Sequence, residues 1–327
     1  MARFPFPLTA LMALVVCAGA EAPVADGPVI AGCPVFPADH VWNVRVDALP
    51  RHPASDAFVA AIGANATVHP DFGAGLWDGR AIGIPFDVVG PDQATVPVHF
   101  YYADESDLGP YPIPADAFVE GAPAPGQSVP DGDRHVVVLQ TGTCTLYELF
   151  DAERQGDGSW TAGSGAVFDL RGYELRPAGW TSADAAGLPI LPGLVRYDEV
   201  AAGEIGHALR FTAPRTRRAY VWPARHFASS DTDPALPPMG QRFRLRADAD
   251  VSGFSDEALV IARALQTYGM ILADNGSAWF LSGAPDDRWD DDALRDLRQL
   301  QGSEFEAVDA SGLMASPDSG RVAGGGR

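Results

Sequence analysis

Residues 134–151 read RHVVVLQTGTCTLYELFD and predict two β-strands joined by a short turn. The runs 134–140 and 144–151 are β-branched or alternate between polar and apolar residues, and Thr141-Gly142-Thr143 separates them as in a hairpin. Further strand-like runs follow at 160–170, 204–212, 218–223 and 241–247. This pattern predicts a mainly β, α+β chain that folds as an antiparallel β-sandwich or jelly roll.

Two helices are predicted to pack against the strands near the end of the chain. In residues 255–268 apolar side chains recur at 3.6-residue spacing, Ser255 precedes them as a cap, and Gly269 ends them. Residues 290–301 repeat this spacing. The runs 270–273 and 278–281 lie between the helices and predict strands joined across a favoured Asn-Gly turn.

The first 20 residues have the composition of a signal peptide. Arg3 precedes an apolar stretch, and Ala18-Gly19-Ala20 is a small-residue cleavage site. The stretch is too short to span a bilayer, which needs about 20 apolar residues, and no later stretch predicts a transmembrane segment. The expected organisation is a signal peptide at 1–20, an extended leader at 21–32, one β-rich domain at 33–309 and a disordered tail at 310–327. A secreted or periplasmic location is therefore expected.

Export decides how the cysteines are interpreted. Removal of a signal peptide containing Cys17 leaves Cys33 and Cys144, and two thiols in an oxidising compartment most simply form one disulfide. Such a bond would close a loop of roughly 110 residues and stabilise the fold by a few kcal/mol. The alternative is that Cys144 is a nucleophile, although its neighbours are those of an ordinary strand.

The composition excludes several classes of function. The 327 residues include 43 acidic and 23 basic side chains, and every basic one is arginine, so the net charge is −20. Without lysine, the chain cannot form a Schiff base or use a lysine-bearing phosphate loop. Its negative charge disfavours nucleic acid as a partner. The sequence also lacks a Gly-x-Ser-x-Gly elbow, a His-Glu-x-x-His motif and a dinucleotide-binding motif, and it predicts no cofactor.

His207 is the first candidate catalytic residue. In the predicted strand 204–212 it shares one face with three apolar side chains, a setting that suits a general base or a metal ligand. The alternative is a buried structural histidine. Arg210 lies on the opposite face of the same strand and is a candidate substrate contact.

Three carboxylates are the candidate acids and bases. Glu148 is flanked by apolar neighbours on its own strand face, Asp184 lies in the long glycine-punctuated loop 171–194, and Asp274 precedes the Asn275-Gly276 turn. Paired carboxylates of this kind carry out glycoside hydrolysis. The alternatives are a paired core carboxylate for Glu148 and turn formation for the two aspartates.

Exposed aromatic and histidine side chains are the candidate substrate contacts. Trp180 and Trp279 are predicted in loops or at strand ends, where an indole ring can stack on a sugar, and His226 follows a strand end. Core packing is the alternative role for each tryptophan. A metal site formed by His69, His207 and His226 is the alternative to metal-free chemistry.

Three segments resemble those of a group of exported microbial proteins of unknown activity. They are 178–189 (AGWTSADAAGLP), 204–212 (EIGHALRFT) and 268–277 (YGMILADNGS). The resemblance covers most of residues 33–309 and implies one coherent domain, without indicating a reaction.

Together these features predict an exported carbohydrate-active hydrolase that acts on an extracellular or cell-envelope glycan. Glu148, Asp184, Asp274 and His207 are the predicted catalytic residues, while Trp180, Arg210, His226 and Trp279 are predicted to contact the glycan. A non-catalytic glycan-binding or cell-surface module and a histidine–metal hydrolase are the alternatives.

Overall fold

The computed structural model describes residues 1, 27–127, 129 and 131–324. The predicted signal peptide beyond Met1, and the leader up to residue 26, lie outside the described residues. The helices are α1 (Ser55–Ile62), α2 (Tyr197–Ala202), α3 (Asp256–Thr267) and α4 (Asp291–Leu294). The strands are β1 (Val29–Ile30), β2 (Cys33–Pro34), β3 (His69–Asp71), β4 (Leu76–Trp77), β5 (Arg80–Ala81), β6 (Asp87–Val89), β7 (Val98–Phe100), β8 (Val136–Gln140), β9 (Thr145–Phe150), β10 (Glu153–Arg154), β11 (Trp160–Ala162), β12 (Ser164–Asp169), β13 (Leu209–Ala213), β14 (Arg242–Leu245), β15 (Met270–Asn275), β16 (Phe280–Ser282) and β17 (Phe305–Ala307). Single 3-10 turns occur at Ala103–Glu105, Leu191–Gly193, Arg295–Gln299, Gly302–Glu304 and Ser311–Leu313.

The predicted hairpin forms the middle of a four-stranded sheet with the order β12-β9-β8-β6. β8 and β9 are antiparallel, with Val137 opposite Glu148 and Leu139 opposite Leu146. Side chains of this sheet enter the main core on one face, and a second, smaller core on the other, where Tyr111 and Trp160 cover the sheet. Burial on both faces explains why β8 is continuously apolar instead of alternating.

The other large sheet has six strands in the order β17-β14-β15-β13-β16-β3. β13 runs parallel to β15 and antiparallel to β16, while β16 runs parallel to β3. A register shift between Phe211 and Thr212 places Thr212 opposite Asp274. Irregularities of this kind change the direction of nearby side chains and are frequent next to active sites.

The mainly β, α+β fold class is confirmed, but the sheets are not purely antiparallel. The four-stranded and three-stranded (β10-β11-β7) sheets each contain one parallel pair, and the six-stranded sheet contains two. The strand pairings alone do not define the closed arrangement of a sandwich or jelly roll. Among the described residues, no helix has both the length and the hydrophobicity required to cross a bilayer.

The predicted helix at 255–268 matches α3, whereas the predicted helix at 290–301 is shorter. α4 ends at Leu294, and the chain continues as a 3-10 turn over Arg295–Gln299. The Ser255 hydroxyl donates to the carbonyl of Ala293 at 3.0 Å, so it links the two helices instead of capping α3.

The disulfide between Cys33 and Cys144 is present, and its two half-cystines have a sequence separation of 111. It joins β2 to the turn between β8 and β9, and the leader segment before it pairs with β2 as strand β1.

The prediction that the C-terminal tail is disordered is wrong for residues 310–324. Val322 is buried, and the N–H of Val41 donates to the carbonyl of Gly320 at 2.8 Å. The apolar content of this tail is small, but its backbone hydrogen bonds and two ion pairs, Arg225–Asp318 and Arg321–Asp39, fix it on the domain.

Candidate functional site

The loop predicted to be functional has a largely buried segment that contacts both large sheets. Its segment 182–191 contacts both: the N–H of Ala186 donates to Ala273 of β15 at 3.0 Å, and the N–H of Ile190 donates to Glu148 of β9. The Ser182 hydroxyl donates to the carbonyl of Leu188 at 2.6 Å and holds the loop in a compact turn. The segment therefore brings side chains of both sheets to one place.

Arg210 is the centre of a buried cluster of charges in this layer. Its Nε donates to Asp184 Oδ2 at 3.1 Å, its Nη1 donates to the Ser282 hydroxyl at 2.7 Å, and its Nη2 lies 4.0 Å from Asp274 Oδ2. Burial raises the pKa of Asp184 to about 7, although Arg210 opposes this shift. Burial also raises the pKa of Asp274. The structure thus brings together three predicted site residues, with Asp184 fully buried and Asp274 partly exposed.

Glu148, the fourth predicted residue in this region, is tied to backbone amides. Both of its carboxylate oxygens accept from the N–H of Ile190 at 2.9 Å, and Oε1 also accepts from Leu191 at 2.9 Å. Burial raises its pKa to about 7 against the effect of these donors. The side chain has no exposed surface. Its contacts are those of a residue that holds the loop to β9.

A buried imidazole–carboxylate pair lies within range of the charge of Arg210. Nδ1 of His135 is 2.6 Å from Glu120 Oε2, and Nε2 of His135 donates to the carbonyl of Ala183 at 2.9 Å. Burial lowers the pKa of His135, but Glu120 outweighs burial and raises it to about 9. Burial likewise raises the pKa of Glu120, but His135 outweighs it and lowers the value. Glu120 is therefore held as an anion and His135 as a cation at neutral pH.

Glu120 opens into a cavity of about 660 Å³, here called the carboxylate cavity. Asp71, at the end of β3, and Asp133, two residues before His135, also line it. Desolvation and the charge of Glu120 raise the pKa of Asp71, although this residue remains exposed to solvent at the end of β3. The indole of Trp77 forms part of the wall and is 79% exposed. The cavity therefore joins carboxylates with opposite pKa shifts to an accessible aromatic ring.

His207 is sealed inside the protein and does not reach the carboxylate cavity. It has no exposed surface, its Nδ1 donates to the carbonyl of Ala208 at 2.7 Å, and its Nε2 accepts from Arg196 at 2.9 Å. Glu199 Oε2 lies 3.1 Å from the same nitrogen. These contacts satisfy the ring, so they correspond to the structural alternative for His207.

The predicted substrate contacts are scattered. Trp279 is 1% exposed, stacks on Phe211 and Phe305 in the core, and cannot meet a sugar. Trp180 is half-buried against the guanidinium of Arg176. His226 binds the carbonyl of Ala185 at 2.9 Å.

His69 is the one predicted histidine that lines the carboxylate cavity, where its ring stacks on Phe280. The proposed trio of His69, His207 and His226 forms no metal-ligand cluster. Within the described ranges, the one group of three close metal-ligand side chains is Glu120, Asp133 and His135, whose ligand atoms lie within 4.8 Å of one another.

The geometry of that group favours an ion pair over a metal centre. Carboxylate and imidazole groups are suitable ligands for divalent metals. However, two ligands of one tetrahedral ion with bonds of about 2.1 Å lie roughly 3.4 Å apart. The 2.6 Å contact between His135 and Glu120 is instead a hydrogen-bond distance.

No sequence pattern marks Glu120, Asp133 or His135 as site residues. Glu120 lies in a Pro- and Gly-rich stretch that predicts only a surface loop, and His135 stands at the edge of a predicted strand. The one sequence feature that points to this site is His135, a polar residue at the start of the otherwise apolar predicted strand 134–140. Comparisons of the chain with protein-family models, curated proteins and solved structures gave no match.

Proposed function

We propose that the protein is an exported hydrolase that cleaves a glycan in the carboxylate cavity by general acid–base chemistry. The observation that carries this proposal is the pair Asp71 and Glu120, which line one cavity with pKa values shifted in opposite directions. Environments that separate the pKa values of two neighbouring carboxyl groups define an acid and a base. This pair replaces Glu148, Asp184, Asp274 and His207 as the proposed catalytic residues.

In this mechanism Asp71 is the general acid, because its pKa is raised while that of Glu120 in the same cavity is lowered. It donates its proton to the oxygen of the leaving sugar as the glycosidic bond breaks. Glu120, kept ionised by His135, accepts a proton from the attacking water. His135 is a positioning residue that acts through Glu120, and Ala183 fixes the direction of its ring.

The glycan is proposed from the shape and lining of the cavity. Trp77 offers an accessible indole face on its wall, and Phe280 adds a second aromatic ring. Export is supported by the signal-peptide pattern of residues 1–20 and is compatible with the disulfide. We further infer that the four-stranded and six-stranded sheets are the two layers of a sandwich around segment 182–191.

The test is hydrolysis of a panel of soluble polysaccharides, followed by the appearance of new reducing ends. We expect Asp71→Asn to lower the rate by about 10²–10⁴-fold, which is the usual contribution of a general acid. Asp131→Asn is the matched control, because Asp131 lines the same cavity and has no assigned role. The rate of the natural protein should also fall as pH rises through the raised pKa of Asp71. A panel without any new reducing ends contradicts the proposal.

A metal-dependent hydrolase is the second candidate, favoured by the proximity of Glu120, Asp133 and His135. Titration calorimetry with Zn²⁺ and Mn²⁺ distinguishes the metal-dependent from the metal-independent hydrolase. Asp133→Asn is the comparison, because this substitution leaves the His135–Glu120 contact in place. Stoichiometric binding that is lost in Asp133→Asn supports the metal centre. Binding of a glycan without cleavage by the natural protein supports the binding module instead.

A further inference from the structure

A second cavity of about 550 Å³, here called the side cavity, adjoins the carboxylate cavity. The two share Ala81, Gly83 and Gly121 in their walls. The hairpin of β4 and β5 stands between them, and consecutive residues of β4 face opposite sides: Leu76 lines the side cavity and Trp77 lines the carboxylate cavity. This is the alternation expected of a strand, so the hairpin is a shared rim.

The side cavity offers apolar contact surface next to the proposed reaction centre. Leu76 is 68% exposed and Phe118 is 42% exposed, and Phe86 and Tyr197 lie in the same lining. Large exposed apolar groups that line a concave surface mark binding sites. A substrate longer than the carboxylate cavity would extend past the rim into this space.

The charges of the two linings restrict that substrate. Nine acidic residues and four arginines line the cavities together. Asp71 is the proposed proton donor and Glu120 is paired with the His135 cation, so seven carboxylates remain against the arginines. One of those arginines, Arg196, is buried and bound to Glu199 at 2.6 Å, so it is not available to a ligand. Asp198, Asp286 and Asp287 lie in the side cavity, although Arg288 pairs with the first two. A concave surface with an excess of one sign concentrates ligands of the opposite sign and repels like charges.

We infer that the two cavities form one cleft that binds a polymeric glycan carrying protonated amino groups, with its chain crossing the β4–β5 rim. This inference rests on the proposed function and adds the charge and the length of the substrate. A uronate or sulfated polymer would place its own negative charges against the carboxylates. A disaccharide would fill one cavity and leave the other empty.

The experiment measures binding separately from cleavage. Asp71→Asn is titrated with partially deacetylated chitosan, hydroxyethyl cellulose and polygalacturonate at mildly acidic pH, in low and high salt. We expect chitosan to bind at least tenfold more tightly than polygalacturonate, and high salt to reduce this preference. Adding Phe118→Ala should weaken binding of the polymer about tenfold and leave binding of the chitosan dimer unchanged. Tyr101→Ala is the control, because Tyr101 is 71% exposed and lines neither cavity.

The outcomes separate this inference from the proposed function. If the protein cleaves any glycan but binds chitosan and polygalacturonate equally well, the inference about substrate charge is overturned. The proposal that the protein is a hydrolase is then still supported. Chitosan binding that depends on Phe118, without cleavage by the natural protein, supports the cleft and contradicts the hydrolase. An equal effect of Phe118→Ala on dimer and polymer shows that the side cavity is no separate subsite and overturns the inference.

Discussion

Nδ1 of His135 lies 2.6 Å from Oε2 of Glu120, and this contact fastens a cavity-lining carboxylate to the four-stranded sheet. The backbone repeats the connection, because the N–H of Glu120 donates to the carbonyl of His135 at 2.9 Å. Both residues are largely buried, so their charges interact in a medium that screens them less than water does. The pair is therefore both a structural contact and the source of the ionised state of Glu120.

The first prediction concerns the pH dependence of stability. The pKa of His135 is raised from 6.5 to about 9, so its stabilising contribution is complete below about pH 6.5 and is lost as pH rises through about 9. Asp133 and Arg210 also face the ring and act in opposite directions. Between about pH 6 and pH 10, the free energy of unfolding of the natural protein should fall by about 3 kcal/mol more than that of His135→Gln.

Urea unfolding at several pH values measures this difference, with His99→Gln as an exposed histidine control. Glu120 affects stability at acidic pH. Because its pKa is lowered, its contribution to the free energy of unfolding is lost only as pH falls below the ordinary range of a glutamate. Parallel stability curves for the natural protein and His135→Gln would show that the ion pair does not form.

The sequence predicts the parts of the fold that depend on local patterns. The β8–β9 hairpin, α3 and the Cys33–Cys144 disulfide each follow from a short run of residues or from cysteine arithmetic. The mixed sheets could not be predicted this way, because β3 joins β16 across more than two hundred residues. Such pairings are decided by tertiary packing, which a local pattern does not encode.

The candidate site was predicted only in its buried layer. Asp184, Arg210 and Asp274 were identified individually and do come together, because β13 and β15 are neighbours. Glu120 and His135 meet through a loop that folds back on a strand, and no spacing motif marks this contact. Trp279 was expected to be accessible, but its ring turns into the core, where Phe211, Phe243 and Phe305 surround it.

The second prediction assigns Glu148 to stability and not to catalysis. Its carboxylate accepts three hydrogen bonds from two backbone N–H groups, and the amide of Glu148→Gln can replace only part of them. Because the donors are buried, we expect the variant to lose about 1–3 kcal/mol in the free energy of unfolding. Its kcat on any glycan that the natural protein cleaves should stay within about twofold. Glu153→Gln, at an exposed position, is the matched control. A loss of kcat in fully folded Glu148→Gln would return this residue to the catalytic set.

The third prediction concerns the disulfide. Cys33 and Cys144 close a loop with a sequence separation of 111 residues, and a crosslink of this length restricts the unfolded chain strongly. The double variant Cys33→Ser/Cys144→Ser should be less stable by about 4 kcal/mol, as measured by urea unfolding. Both residues are buried, so each single variant leaves a free thiol in the core and serves as a comparison. Equal unfolding midpoints for the natural protein with and without a reductant would contradict this expectation.

The fourth prediction concerns the C-terminal segment 310–324, which binds a buried arginine. Nη2 of Arg225 lies 2.5 Å from Asp318 Oδ1, Nη1 donates to the carbonyl of Pro317, and the side chain is 5% exposed. A chain that ends after Asp309 leaves this guanidinium without these partners in a site of low water access. Asp318 itself is 75% exposed, so the lost contacts are valued as hydrogen bonds to a charged group, about 1.5–3 kcal/mol, and we expect a decrease of about that size in the free energy of unfolding. Removal of residues 325–327 alone is the control for the truncation. Asp318→Asn keeps the packing and removes only the charge. Its free energy of unfolding, measured with urea, should lie between that of the chain ending after Asp309 and that of the chain lacking residues 325–327. If the chain ending after Asp309 unfolds at the same urea concentration as the control, the segment does not stabilise the domain.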